Sequence, residues 1–195
     1  RRFSPAVQEI KKAIPIDQRK AIQIRINAGQ VPKDHWVNDP DIGGGRIIGE
    51  VCHFVDLAIF LAGSKISSLS AQALSDSNNL MDTLGITLKF QNGSIANISY
   101  FSNGNKKLPK EYIEVFSGTI VFIIHDFKKL ELLGRKRIVK KYKRQDKGHR
   151  NELVRFFESI RKGEPSHILF DELYHSTLAT FKIIESIKQN RTIVF

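Results

Sequence analysis

One cysteine, Cys52, is all the chain has, so no internal disulfide can form. That usage fits a reducing, cytoplasmic compartment better than an oxidising one. No apolar run reaches the ~18 residues that a membrane-spanning helix needs. No secretory signal heads the chain. Arg1 rather than Met stands first, almost directly on a helix start, and the expectation is that further chain precedes it. Internal repeats and low-complexity segments are absent. Acidic residues are few: 20 Asp and Glu stand against 31 Lys and Arg, a net charge of +11.

That excess is local. It sits in "NKKLPK" (105–110) and "GRKRIVKKYKR" (134–144). The second run mixes Ile138, Val139 and Tyr142 into the basic residues, so it reads as a strand with one wet face. Lysines that keep a sheet edge from aggregating explain it best. A weak anion-attracting surface is the alternative. No recognition motif accompanies the charge, so no nucleic-acid partner is expected.

What is present suits one soluble domain. The 195 residues are 41% apolar and 26% charged, an ordinary globular balance. "FSPAVQEIKKAI" places Ser4 as a helix cap and Pro5 at the first helical position. Val7, Ile10, Ala13 and Ile14 form its apolar face, and Pro15 ends it. "AIQIRIN" alternates Ile22, Ile24 and Ile26 with polar residues, the period of a half-buried strand. Residues 28–46 read as a long loop, broken by Gly29, Pro32, Pro40 and three glycines. Loops of that length in compact domains are more often functional than idle.

A helix follows from about Ile48 to Ala62, with Gly63 at its terminating position. "ISSLSAQAL" reads as a strand. "TLGITLKF" and "IANISYFS" form a hairpin around Asn92-Gly93. Two or three strands follow in residues 111–134, then "RIVKKYKR". The tail is two helices, ending at Gly163 and near Asn190. Helix, strand, helix, about five further strands and two helices predict an α+β fold: a large, mostly antiparallel open sheet with helices on one face.

The stretch "DPDIGGGRIIGEVCHFVD" (39–56) carries the chemistry. A dinucleotide fingerprint needs a buried strand before its glycines. "VNDPDI" is not one, and the glycine spacing is one residue too long. Anion binding at the helix start stays open. Glu50 and His53 share one side of the helix, with Asp56 less well aligned. A single Glu-x-x-His does not make a di-iron site, and further His or Cys at zinc spacing are lacking; no metal is expected. His53 is either an acid–base group or a core-edge histidine. Cys52 reads as a small buried hydrophobe.

"RRFSPAVQEI", "HWVNDPDIGGGRIIGEVCHFVDLAIFLAG", "EYIEVFSG", "KGHRNELVRFFESIRKGEP" and "DELYHSTLATFKIIESI" together resemble the C-terminal domain of the glucose–fructose oxidoreductase and inositol dehydrogenase family (Gfo/Idh/MocA). The resemblance runs from Arg1 to Phe195. It is nearest to members whose Gfo-like half is fused to an alcohol-dehydrogenase-like half. It implies an oxidoreductase in two domains. An N-terminal Rossmann domain, missing from this chain, binds NAD or NADP and supplies a lysine; no cofactor is expected on these 195 residues alone. Residues 1–195 form the substrate-binding and oligomerisation domain, inactive alone.

The resemblance places the acid–base histidine on His53. Many family members carry Asp or Asn four residues earlier. Here that position is Gly49, and Glu50 comes one residue later, turned by roughly 100° on an α-helix. Glu50 or Asp56 would hold the histidine's tautomer. His35, Trp36, Arg46 and Asp56 are candidate contacts for a sugar or nucleotide-sugar substrate, and each of the first three also reads as a loop-packing residue. The open sheet face implies a homo-oligomer, since its strands carry apolar or small residues on both alternating sets. The rival expectation is a non-catalytic oligomerisation module on the same fold.

Overall fold

The computed structural model describes residues 1–39, 41–75 and 80–195; Pro40, expected in the long loop, lies outside them. Helix α1 spans Pro5–Ala13. Ser4 takes the cap position in extended backbone, but its hydroxyl makes no capping bond. Ala6, Val7 and Ile10 are buried, and Ile14 joins them just past the helix end. Ala13 is exposed, so the buried stripe runs through Ala6 rather than Ala13.

Strand β1 (Ala21–Asn27) buries Ile22, Ile24 and Ile26 as its alternation demands. A 3₁₀ turn, Trp36–Asn38, interrupts the loop. Residues Ile47–Val51 form one π-helical turn that runs directly into α2, Cys52–Ala62. Gly63 closes α2 in the left-handed conformation, its N–H donating to the Ile59 carbonyl. The later strands are β2 (Ile66–Ala73), β3 (Leu84–Phe90), β4 (Ile95–Phe101), β5 (Glu111–Ser117), β6 (Ile120–His125), β7 (Lys129–Leu133), β8 (Arg137–Lys141) and β9 (Ile193–Val194). Eight strands therefore follow α2 where the sequence suggested about five. The extra ones come from splitting residues 111–134 three ways and from the short β9.

The strands form one sheet of nine, ordered β8-β7-β6-β5-β1-β4-β3-β2-β9. All its pairings are antiparallel except β1 with β4. The early strand β1 thus lies at the centre, between β4 and β5. The Asn92-Gly93 turn joins β3 to β4, with Gly93 at positive φ. The α+β class with a large, mostly antiparallel open sheet holds.

Helices α1, α2 and α4 (Phe170–Gln189) cover one face of this sheet and share its apolar core. Helix α3 (His149–Lys162) does not: none of its residues is buried. Strand β8, at the sheet edge, is exposed on both faces rather than one. No helix among the described residues is long and apolar enough to cross a membrane.

Candidate functional site

The glycine triplet answers first to packing. A Cβ on Gly43 would sit 2.5 Å from the Trp36 carbonyl oxygen and from the Val37 Cα. Only glycine lets the chain pass this close to the 3₁₀ turn. The N–H groups of Gly43 and Gly44 both donate to the Asp39 carbonyl. Those donors are therefore not free for a pyrophosphate, and the loop does not fit a dinucleotide.

The turn of π-helix sets the next residues. π-turns inside helices are frequent at functional sites. Here the turn carries Glu50 toward the sheet. The Arg46 Nε donates to Glu50 Oε1 at 3.0 Å, and the Tyr100 hydroxyl donates to Glu50 Oε2 at 2.8 Å. Lys110 Nζ lies 3.8 Å from the same Oε2. Burial alone would raise the Glu50 pKa; the Tyr100 hydroxyl and the Arg46 guanidinium outweigh it, and the carboxyl is held below its ordinary value. Burial and the neighbouring carboxylate push the Tyr100 hydroxyl far up, so it stays a donor.

Arg46, expected to meet substrate, is only 2% exposed. Its guanidinium lies over the Tyr100 ring, donates to the Gly29 carbonyl and approaches Asp82 at 3.7 Å. It faces inward and holds Glu50 and the long loop together. Asp56 is likewise engaged: Arg2 grips its carboxylate through Nε and Nη2, at 2.6 to 3.0 Å, and reaches Glu172 as well.

His53 differs from all of these. It lies in the first turn of α2, exposed. Among the described residues no hydrogen bond reaches its ring, so neither Glu50 nor Asp56 fixes its tautomer by direct contact. Partial desolvation and the positive charge of Arg1 lower its pKa below the ordinary 6.5, against the pull of Asp56 and Glu50. The ring is therefore mostly neutral near pH 7 and free to accept a proton.

A second ion cluster borders it. The Glu111 side chain is fully buried and receives Arg1 Nη2 at 2.9 Å and Lys147 Nζ at 2.7 Å. Burial would raise the Glu111 pKa, but these two cations hold it down. Arg1 also covers the Phe54 ring. Sequence reasoning missed Tyr100, Lys110, Glu111 and Lys147. They come from β4, β5 and its approach, and the turn before α3; only the inward alternation of β4 marked Tyr100 as facing the helices.

His35 and Trp36 sit apart from this network. Their rings are 5.7 Å apart, and His35 Nδ1 accepts from the Val37 N–H. Trp36 is 59% exposed, its face open to solvent. Cys52 is half-buried, and burial pushes its thiol pKa up, which suits a packing role. No group of three or more His, Cys, Asp or Glu able to hold a metal occurs among the described residues.

On the opposite face of β1–β4 lies a shallow groove of about 920 Å³, lined by small and polar side chains such as Gln23, Gln72, Thr87, Asn97 and Ser99. Ile95, Phe101 and Phe116 are the large apolar groups exposed on the outward set of the central strands.

Comparison with known proteins follows this geometry. A family model described as the GFO/IDH/MocA C-terminal domain matches residues 16–119. UDP-N-acetylglucosamine 3-dehydrogenase GnnA from Acidithiobacillus ferrooxidans superposes with a TM-score of 0.80 at 16% identity, over 96% of this chain and 59% of its own. Aldose-aldose oxidoreductase from Caulobacter crescentus, complexed with glycerol, gives 0.80 at 16% identity, over 100% and 62%. Levoglucosan dehydrogenase, in complex with NADH and levoglucosan, gives 0.80 at 17% identity, over 99% and 64%. The chain thus spans about three fifths of the solved structures it matches. No curated protein matches it in sequence.

Proposed function

The chain belongs to the GFO/IDH/MocA C-terminal-domain family, and from that premise we propose that it is the substrate-side domain of an NAD- or NADP-dependent oxidoreductase acting on a sugar or nucleotide-sugar hydroxyl or carbonyl. A nicotinamide held by a Rossmann domain outside these residues supplies the hydride chemistry. His53 exchanges the proton of the reacting hydroxyl. The observation that carries this reading is the state of His53: exposed, bonded to nothing among the described residues, and biased toward its neutral form.

The surrounding ion pairs keep the site in register. Arg46 and Tyr100 anchor Glu50 one turn before His53, and Arg2 anchors Asp56 one turn after it. Both carboxylates act on the imidazole through space. Glu50 is therefore a positioning residue, and Arg46 acts through it rather than on substrate. Lys110, half-exposed beside Glu50, is a cation available to an anionic substrate group. Trp36 offers an aromatic face for a sugar ring.

The domain alone is inactive on this reading, and the open sheet face pairs with a second copy. Ile95, Phe101 and Phe116 support that pairing, as exposed apolar groups on a face no helix covers; light scattering that finds a monomer at all micromolar concentrations would refute it. The test of the catalytic role is His53→Ala in the full-length enzyme. Turnover should fall by about two to four orders of magnitude, the usual weight of a general acid–base group, with partial recovery at higher pH. Near wild-type turnover would reduce His53 to a packing residue.

A further inference from the structure

Strand β8 ends the sheet, paired only with β7. Its outer row of N–H and C=O groups meets no further strand among the described residues. All five of its residues are exposed. Seven of the ten residues 135–144 are Lys or Arg, and none is acidic. Arg137 meets Glu131, and Lys140 meets Glu9 at 2.6 Å. Arg135, Lys136, Lys141, Lys143 and Arg144 meet no carboxylate among the described residues.

Keeping copies apart explains a charged edge. It does not explain the apolar notch beside it. On the helix side, between α1 and β6–β8, lies a cavity of about 140 Å³. Ala13, Leu130, Leu132 and Ile138 line it, and the Glu9–Lys140 pair completes it. Ala13, exposed although it belongs to the apolar stripe of α1, opens onto this notch.

The register says what chemistry fits. Ile138 lies opposite Leu132 and Lys140 opposite Leu130, so both share the notch face. Arg137, Val139 and Lys141 share the other face. A strand added at this edge alternates in the same way. Every second side chain falls beside the notch, where aliphatic groups fit. The remainder fall beside Arg137 and Lys141, where carboxylates fit.

Other occupants fit less well. A second copy would oppose seven cations to seven at this edge. Nucleic acid would want aromatic faces for its bases, and Tyr142, the one aromatic residue of the run, is turned to Glu9. A membrane would want its apolar groups on one side, whereas Ile138 and Val139 point to opposite faces. Chain preceding Arg1 arrives at the start of α1, and Ala13 is the last residue of that helix.

We propose that the β8 edge and its notch dock an acidic, extended segment of a partner protein, which adds as a further strand with alternating carboxylate and aliphatic side chains. Main-chain bonds along the edge supply affinity, and the notch and the lysines supply selectivity. The surface is separate from His53 and does not depend on the oxidoreductase reading.

The test is fluorescence anisotropy of a labelled heptapeptide of alternating Glu and Val, titrated with the full-length chain. Saturable binding is expected, weakened by salt. Lys141→Glu combined with Lys143→Glu should weaken it by about tenfold or more. Ala13→Phe, which fills the notch from an exposed helix position, should do the same with the melting temperature held. Only alternate N–H groups of an added strand face the edge, so N-methylation of one alternate set should abolish binding and of the other should not. No saturable binding up to the millimolar range, binding untouched by either variant, or tolerance of both methylation patterns would overturn the proposal. So would tighter binding of a DNA duplex or of phosphatidylserine vesicles than of the peptide.

Discussion

Helices α2 and α3 are of similar length and opposite fate. Seven of the eleven residues of α2 are buried, from Phe54 to Ala62, while α3 buries none of its fourteen. Both sequences carry apolar residues at helical spacing. The difference is that α2 meets the sheet and α4, whereas the stripe of α3 faces nothing among the described residues. A helical pattern therefore says that a face will be covered, not by what. The polar groups follow the same division: His53 stands where the buried helix emerges, and Lys147, which helps hold Glu111, lies two residues before α3.

Substitution can break or sharpen this contrast. Phe54→Ala should cost the most stability, about 3–5 kcal/mol in a urea titration, the usual cost of emptying a large aromatic site; Phe54 is fully buried in the core. Arg46→Met comes next at about 3 kcal/mol, the low end for a broken buried pair, because Glu50 keeps 27% of its side chain exposed. Tyr100→Phe removes one bond to a charged acceptor and should cost about 1.5–3 kcal/mol. Phe157→Ala within residues 1–195 alone should stay within about 0.5 kcal/mol, as for an uncovered surface site. A large loss there would mean that α3 is covered within this domain.

Titration sharpens the polar half. The folded state holds Glu50 below its ordinary pKa. Its stabilisation is present above the unfolded value near ~4.3 and is lost as pH falls through the folded one. Arg46→Met should therefore shrink the stability difference between neutral and acid pH, measured by thermal melts across that range. An unchanged acid limb would detach Glu50 from Arg46.

Much of the fold was legible in the sequence because its signals are local. The isoleucine alternation of β1, the Asn92-Gly93 turn and the Gly63 cap each follow from backbone chemistry within a few residues. What escaped depends on distant partners. Nothing within β1 says that it sits at the sheet centre beside β4, some seventy residues on. Arg46 reads as a loop arginine until Gly29, Glu50, Asp82 and Tyr100 gather round it. The glycine triplet was visible, but the need for it lies in its approach to Trp36 and Val37. For the site, His53 and Glu50 could be named from their spacing and the family resemblance. The partners of Glu50, Tyr100 and Lys110, are supplied by the sheet and the approach to it.

The central claim is that His53 moves the proton, and the pH dependence of kcat/KM in the full-length enzyme tests it most directly. In the direction that oxidises a hydroxyl, His53 must be neutral, and its pKa lies below the ordinary 6.5. The wild-type rate should therefore hold as pH falls to about that value and drop only below it. In His53→Gln that acid limb should vanish along with most of the rate. A His53→Gln enzyme that keeps both the wild-type rate and the same acid limb would contradict the account.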